Sequence, residues 1–417
     1  MKRVDNSYWQ VIHGQPSRTT TWRFLHSVSK DRQIMSSSNS GLKIVWWIDH
    51  LGYGGSQKVL SGLIKGVSEI TTNQTIVCLN NRVDLKLLQQ IEKLGVEVRI
   101  SNKLKLVTGI TLIQTWWWLR RNKHDVAVTF LYFSDIVGLF VSRLCGVSRL
   151  ISSQESSNNH YTEWHCRLLR YTLKLANVIV LNNDSYSREI SRYIPVDSEV
   201  RVIPNGLDLA DYECNVNESN IRRNLKLPDG TCLIGSIGRL SREKGLDILI
   251  DSLGLLDRVN VHLLMIGDGN EKDQLEKQAE KLGLSDRVHM LGYRTDIKEL
   301  LNTLTVCVQP SRFEGMPMVI LEAMVMGCPV VATTVGGVPQ MIRDGVDGWL
   351  VPPQDSKQLA IAVSNVLADP IEAHKRAISA RNRIVGEFSL GRQVEAWKEV
   401  LGDRGCTSSE SFGHEVA

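Results

Sequence analysis

Two successive series of apolar strand-like runs, each alternating with amphipathic helix-like stretches, predict an α/β protein of two Rossmann-like, doubly wound parallel sheets. The length agrees, because 417 residues exceed what one ordinary core accommodates. So does the punctuation: Ile203-Pro204-Asn205-Gly206 is turn chemistry, and it falls between the two series as a hinge. Ligands of such sheets bind outside the carboxyl ends of the strands, so two domains face to face place the expected site in the cleft between them.

In the first series the strand candidates are residues 42–48, 75–79, 96–100, 126–130, 150–152 and 178–181, short and rich in branched or aromatic side chains. Residues 57–67 and 85–94 lie between them as helices. The second series has strand candidates at 233–237, 261–266, 288–291, 306–309, 330–332 and 349–351. Its helix at 271–284 repeats Leu275, Ala279 and Leu282 on one face, with charges elsewhere. Residues 318–326 read as a buried helix, with Pro317 suited to its first position and Gly327, followed by Pro329, to its end. These patterns divide the chain into an extension at 1–40, a first domain at 41–202, a second at 203–387 and a flexible tail at 404–417. The extension, expected to be disordered, is polar, acid-poor and rich in Ser, Thr and Arg. It is either a targeting segment or lies upstream of a true start at Met35; the second is favoured because the first strand follows almost at once.

Charge is distributed unevenly. Residues 41–202 hold 20 Lys/Arg against 13 acids, and residues 203–417 hold 23 against 30. A basic first half facing an anionic partner is one explanation; a merely solvated surface is the other. The eight cysteines include no C-x-x-C pair, and H-E-x-x-H is absent, which argues against structural zinc and a disulfide framework and for a reducing cytosol. D-x-D, a common means of holding a divalent ion against a sugar nucleotide, is also missing. The longest apolar run, 126–141, is interrupted by Asp135, so no transmembrane helix is expected.

Three loops carry chemistry. In Gln309-Pro310-Ser311-Arg312-Phe313-Glu314-Gly315-Met316-Pro317-Met318, a turn at Gly315 leads into the 318–326 helix, whose positive end and free N–H groups form an anion site. Glu314 and Glu322 flank it with carboxylates able to accept hydrogen bonds from sugar hydroxyls. Two incidental acids on a buried helix are the alternative, although acids in an apolar run need partners. Arg239 and Lys244, on the loop after the first strand of the second series, can pair with a diphosphate, Arg through its fork and Lys as a point charge. An exposed basic loop is the alternative. Gly52-Tyr53-Gly54-Gly55-Ser56-Gln57 follows the first strand of the first series and admits close approach of a phosphate, but it is not G-x-G-x-x-G.

Taken in order, Gly54-Gly55-Ser56-Gln57-Lys58-Val59-Leu60, Ile203-Pro204-Asn205-Gly206-Leu207-Asp208, the Arg239/Lys244 loop, the Glu314/Glu322 loop, Val335-Gly336-Gly337-Val338-Pro339 and Asp347-Gly348-Trp349-Leu350-Val351 resemble the retaining, nucleotide-sugar-dependent glycosyltransferases of family four. The resemblance covers about residues 42–400 and is strongest from 203 to 355. It implies a GT-B fold, two Rossmann-like domains facing across a cleft, with donor bound mainly by the second and acceptor by the first. By position, Arg239 and Lys244 correspond to the diphosphate clamp, Glu322 to the ribose acceptor and Glu314 to the carboxylate beside the donor sugar. Gly315, Met316, Pro317, Met318 and Val319 correspond to the backbone lining sugar and phosphate, and Gly55 to the first-domain glycine beside the phosphates. The resemblance also sends the helix at 388–403 back onto the first domain. Two positions depart: Gln57 and Gln340 stand where many relatives have Glu, which removes a charge at each. The first-domain histidine of some relatives has no clear counterpart; Glu155 and His160, after a strand of the first series, are the acceptor-side candidates.

The implied activity is retaining transfer of a hexosyl group from a nucleotide sugar to a glycan or lipid-linked acceptor in cell-surface polysaccharide or lipopolysaccharide synthesis. Arg239, Lys244 and the helix end supply positive charge in place of a metal, and no cofactor is expected, the nucleotide sugar being a co-substrate. No nucleic-acid partner is expected. A sugar-nucleotide epimerase of the same fold, or a non-catalytic nucleotide-sugar-binding protein, are the competing functions. The expected location is the cytoplasm, or the inner face of the cytoplasmic membrane, because Trp116-Trp117-Trp118-Leu119-Arg120-Arg121 combines aromatics with cations suited to an anionic bilayer. Three successive helical positions cannot all face one way, so some of these tryptophans are expected in the core.

Overall fold

The computed structural model describes residues 41–101, 110–155, 161–185, 192–195, 197–212, 220–257 and 260–402; the expectations for residues 1–40, His160 and 404–417 lie outside these. Two sheets organise the described chain. The first contains β1 (Leu42–Ile48), β2 (Thr71–Cys78), β3 (Glu97–Ile100), β4 (Val126–Phe130), β5 (Arg149–Gln154), β6 (Val178–Leu181) and β7 (Glu199–Val202) in the order β3-β2-β1-β4-β5-β6-β7, all parallel. The second contains β8 (Cys232–Ile237), β9 (Val261–Ile266), β10 (Val288–Gly292), β11 (Val306–Gln309), β12 (Val330–Thr333) and β13 (Trp349–Val351) in the order β10-β9-β8-β11-β12-β13, again parallel. This is the GT-B arrangement of two Rossmann-like halves.

Strand composition follows from burial. Val45, Trp46, Trp47 and Ile48 are fully buried on alternating faces, as befits a parallel sheet covered on both sides. Strand β7 is the opposite case: Glu199-Val200-Arg201-Val202 is exposed throughout, and its Arg201 pairs with Glu199 at 2.9 Å. A charged edge strand discourages pairing with another chain, and it also carries no apolar signal to read.

The order of each sheet fixes where a site belongs. Chain direction across the sheet reverses between β1 and β4 and between β8 and β11. The loops leaving those strands therefore border the crevices where doubly wound sheets bind ligands. They include Gly52–Gln57, the loop 238–245 and the loop 310–317.

The helix Met318–Val325 begins one residue later than Pro317, which caps it in an extended conformation (φ −70°, ψ 115°) and is not its first helical residue. Its end is a Schellman motif: Gly327, at φ +71°, donates to Met324 O, and Cys328 donates to Ala323 O. The helix Leu390–Gly402 packs on Gly55–Gly66 of the first half, where Cβ atoms at Gly62 and Gly66 would meet Leu390 and Val394 at 3.0 and 2.2 Å. Its Trp397 is 1% exposed and stacks on Phe130, with ring centroids 6.3 Å apart. The two crossings between the halves pair with each other, Leu207 N donating to Phe388 O (2.9 Å) and Leu390 N to Leu207 O (2.8 Å).

Candidate active site

Local sequence explains how the second-half loops are held. After β8 the chain turns through a short 3-10 helix, Arg242–Lys244, into Gly245 at φ +64°. A Cβ there would lie 2.1 Å from Pro310 O, so only glycine allows the two loops to meet. Arg312 then clasps Asp247 bidentately at 2.7 and 2.6 Å, and its Nη1 also donates to Arg242 O. Fastened in this way, Glu314 is 8% exposed, and its Oε1 accepts from Lys244 Nζ (2.7 Å), Gln309 Nε2 (2.8 Å) and Ser311 Oγ (2.6 Å). Arg239 stays out in solvent, 3.8 Å from Glu243.

Glu322 lies one turn inside the helix Met318–Val325, buried at 3% exposure. Its carboxylate pairs with the Lys58 ammonium, from the first half. Tyr212 stands beside it: burial first, and then the Glu322 charge, push the Tyr212 phenol upward. Gly55 opens the helix Gly55–Gly66, and a Cβ on it would touch Met318 Cγ at 3.5 Å, ordinary contact. The two helices thus start together, with their positive ends opening on one place. Met316 is pinned by Asn205, whose N–H meets Met316 Sδ at 3.1 Å and whose Nδ2 donates to Met316 O at 3.4 Å. Gly337 N donates to Gly315 O (2.8 Å), and Ser185 of the first half donates to Gly336 O (2.7 Å).

The first-half crevice is built differently. His50 follows β1; burial, then Arg82 and Arg239, hold its imidazole below the usual histidine range. Its Nδ1 accepts from Gly52 N at 3.2 Å, and the Gln57 amide donates to His50 O at 3.1 Å. Asp49 caps the helix Tyr132–Leu144, accepting from Phe133 N (3.2 Å) and Ser134 N (2.7 Å), and burial raises its carboxyl. Asp135, 1% exposed, accepts from Thr129 (2.5 Å), Ser152 (2.7 Å) and Gln154 (2.7 Å), while burial pushes it up to about 7. Leu131, between β4 and that helix, has φ +74°, a conformation costly for a branched residue.

The structure brings together Gly55, Lys244, Glu314, Gly315, Met316, Pro317, Met318, Val319 and Glu322, with Arg239 close enough to His50 to act on its charge. Glu155 follows β5; its carboxylate accepts from Ser153 (2.7 Å) and Asn182 (3.3 Å), and burial raises it. Sequence reasoning missed His50, Lys58, Arg312 and Asp135. Adjacency of His50 to the Gly52–Gln57 loop was the available signal; the pairing of Lys58 with a residue 264 positions away had none.

Comparison with known proteins agrees with this geometry. Residues 217–383 match the family described as glycosyl transferases group 1. The chain is 32% identical over 267 residues to an uncharacterized glycosyltransferase of Methanocaldococcus jannaschii, covering 60% of this chain and 67% of that protein. It is 24% identical over 375 residues to the UDP-Gal:alpha-D-GlcNAc-diphosphoundecaprenol alpha-1,3-galactosyltransferase of Escherichia coli, covering 82% of this chain and 95% of that one. Among solved structures, HepE of Anabaena in complex with UDP and glucose has the same fold, with a TM-score of 0.76 at 23% identity over 86% of this chain and 99% of that chain.

Proposed function

Because the chain belongs to the glycosyl transferases group 1, we propose that it moves a hexosyl group, with retained configuration and without a bound metal, from a nucleotide-diphosphate sugar to a glycan or lipid-linked acceptor. The observation that carries this is the Lys244–Glu314 ion pair on the loop leading into the helix Met318–Val325, which holds Glu322 buried one turn inside it. Glu322 takes the ribose hydroxyls and Glu314 the donor sugar. Arg239, Lys244 and the helix end receive the charge that develops on the diphosphate. The sugar C1–phosphate oxygen bond breaks while the acceptor hydroxyl oxygen bonds to C1 on the same face, and the hydroxyl proton passes to the departing diphosphate. The UDP bound to HepE, and the UDP-galactose of the Escherichia coli relative, support a uridine nucleotide and lipid-linked glycan synthesis as the first choice.

Incubation with labelled UDP-, GDP- and ADP-sugars and diphosphoundecaprenol-linked glycans tests the reading. Transfer to give an α-linked product from an α-linked donor, undiminished in excess chelator, is expected. Isomerised donor without transfer would make it an epimerase, and binding without turnover a carrier. Loss of activity in chelator, restored by magnesium or manganese, would overturn the metal-free step.

A place on the inner face of the cytoplasmic membrane is part of the proposal. No helix among the described residues is long and apolar enough to cross a membrane. Yet three adjacent helices, Ile110–Asn122, Tyr132–Leu144 and Glu163–Leu173, expose Ile113, Trp117, Phe140, Leu144, Trp164 and Tyr171, each more than half accessible. Arg121 lies 4.4 Å over the Trp117 ring, while Trp116 and Trp118 pack partly against the core. Flotation with anionic vesicles should retain the protein at low salt and release it as salt rises, since each cation near such a surface contributes about 1 kcal/mol, screened within a Debye length. Equal behaviour with neutral vesicles would remove this location.

A further inference from the structure

Lys58, on the first half, forms an ion pair with Glu322 of the proposed donor-binding helix, and the proposed donor chemistry leaves it without a task. Its side chain is 54% exposed while that of Glu322 is 4% exposed, so the ammonium lies between the carboxylate and solvent. A buried carboxylate on an apolar helix needs such a partner. Electrostatics explain why the partner comes from across the cleft. The helices Gly55–Gly66 and Met318–Val325 start in contact at Gly55 and Met318, so two positive ends and a lysine share one place. Before an anion arrives, Glu322 is the negative charge that balances them.

We propose that Lys58 is a third cation of the donor site, a counter-ion that holds Glu322 until a ribose takes the carboxylate and then passes to the diphosphate; this rests on the donor reading of the Glu322 helix. Ribose hydroxyls entering from solvent meet the Lys58 ammonium first. A nucleoside alone must break the ion pair and offers the freed ammonium no anion in return. A nucleoside diphosphate offers both groups, so displacement of Lys58 from Glu322 is matched by a charge-assisted contact to phosphate. Lys58 therefore makes the site discriminate for the diphosphate by penalising the nucleoside, a positioning role carried by one mobile charge.

Calorimetric titration of the full chain with uridine, UDP and, in parallel, the adenine and guanine pairs tests this. Lys58→Met should weaken diphosphate binding about tenfold or more, while leaving nucleoside binding equal or tighter, so the affinity ratio between the two collapses. Lys58→Arg should restore most of the ratio. Glu322→Gln should weaken nucleoside and diphosphate together. Equal fold-changes for both ligands in Lys58→Met, or none, would overturn the inference while leaving the donor site standing. If the wild-type chain binds no nucleotide of any base, the donor reading itself fails and Lys58 falls with it. Lys58→Gln serves the same comparison should the methionine variant not fold.

Discussion

The two crevices at the sheet reversals hold their polar groups by opposite means. Around β8 and β11 the charges are held in ion pairs: Lys244 to Glu314 at 2.7 Å and Arg312 to Asp247 at 2.6 Å within the half, and Glu322 to Lys58 of the first half. In the first half the carboxylates of Asp135, after β4, and Glu155, after β5, face hydroxyls and amides instead, and burial raises both. On the proposed reading, a half that receives charge on a leaving diphosphate is well served by cations already fixed in place, which need no reorganisation at the moment of reaction. On the same reading the first half takes the acceptor, whose hydroxyl is neutral until it attacks, and hydroxyl and amide partners suit it. The difference teaches that one half is organised by charge and the other by hydrogen bonding.

Glycine substitutions should break the contrast most strongly. Gly245→Ala meets both a φ of +64° and the Pro310 carbonyl, so it should cost about 2–4 kcal/mol and lower the melting temperature by several degrees. Gly55→Ala meets only Met318 at ordinary contact distance and should leave stability within about 0.5 kcal/mol, while donor affinity falls because a methyl group enters the phosphate path. Thermal unfolding and nucleotide titration of both variants check this; equal destabilisation would show that the first-half loop is as tightly set as the second.

A smaller effect separates the two cations. Lys244→Ala strips the buried Glu314 carboxylate of its charged partner and should cost about 1–3 kcal/mol of stability as well as turnover. Arg239→Ala, in an exposed pair at 3.8 Å, should reduce turnover while changing stability by less than about 0.5 kcal/mol. If both lose stability alike, Arg239 has a structural contact that its exposed position does not account for.

The smallest effect sharpens the first-half description. The Asp135 carboxyl is raised to about 7 from an ordinary 3.8, so the stability it contributes is fully present below about pH 4 and is lost as pH rises through 7. Asp135→Asn should flatten that loss and raise the melting temperature at pH 8 by about 2–4 °C, with the Gln154 amide turned to face the new one. An unchanged pH profile would mean that Asp135 is ionised in the folded protein at neutral pH.

Much of the fold was legible because its strands are apolar on both faces: β4, β6, β9, β11 and β13 begin and end where composition placed them. The polar start of β2, Thr71-Thr72-Asn73-Gln74, and the charged edge β7 were not, since neither presents an apolar run to find. The same logic divides the site. Arg239, Lys244 and Glu314 lie on loops whose glycines and prolines announce a turn beside a strand, and Glu322 lies on the helix that such a loop enters, so local chemistry marks them. Lys58 owes its partner to a residue 264 positions away, and Asp135 owes its three to two neighbouring strands, 6, 17 and 19 positions away; neither follows a helix or strand period.

The helix Leu390–Gly402 has a consequence for the order in which this protein can be made. Gly62 and Gly66 leave a trough that Leu390 and Val394 fill, and Trp397 completes the packing around Phe130. At translation rates of about 5–20 residues per second, those side chains leave the ribosome on the order of tens of seconds after the trough they cover. The half that is synthesised first is therefore finished last, and through that interval its bare trough is a surface for chaperones to guard.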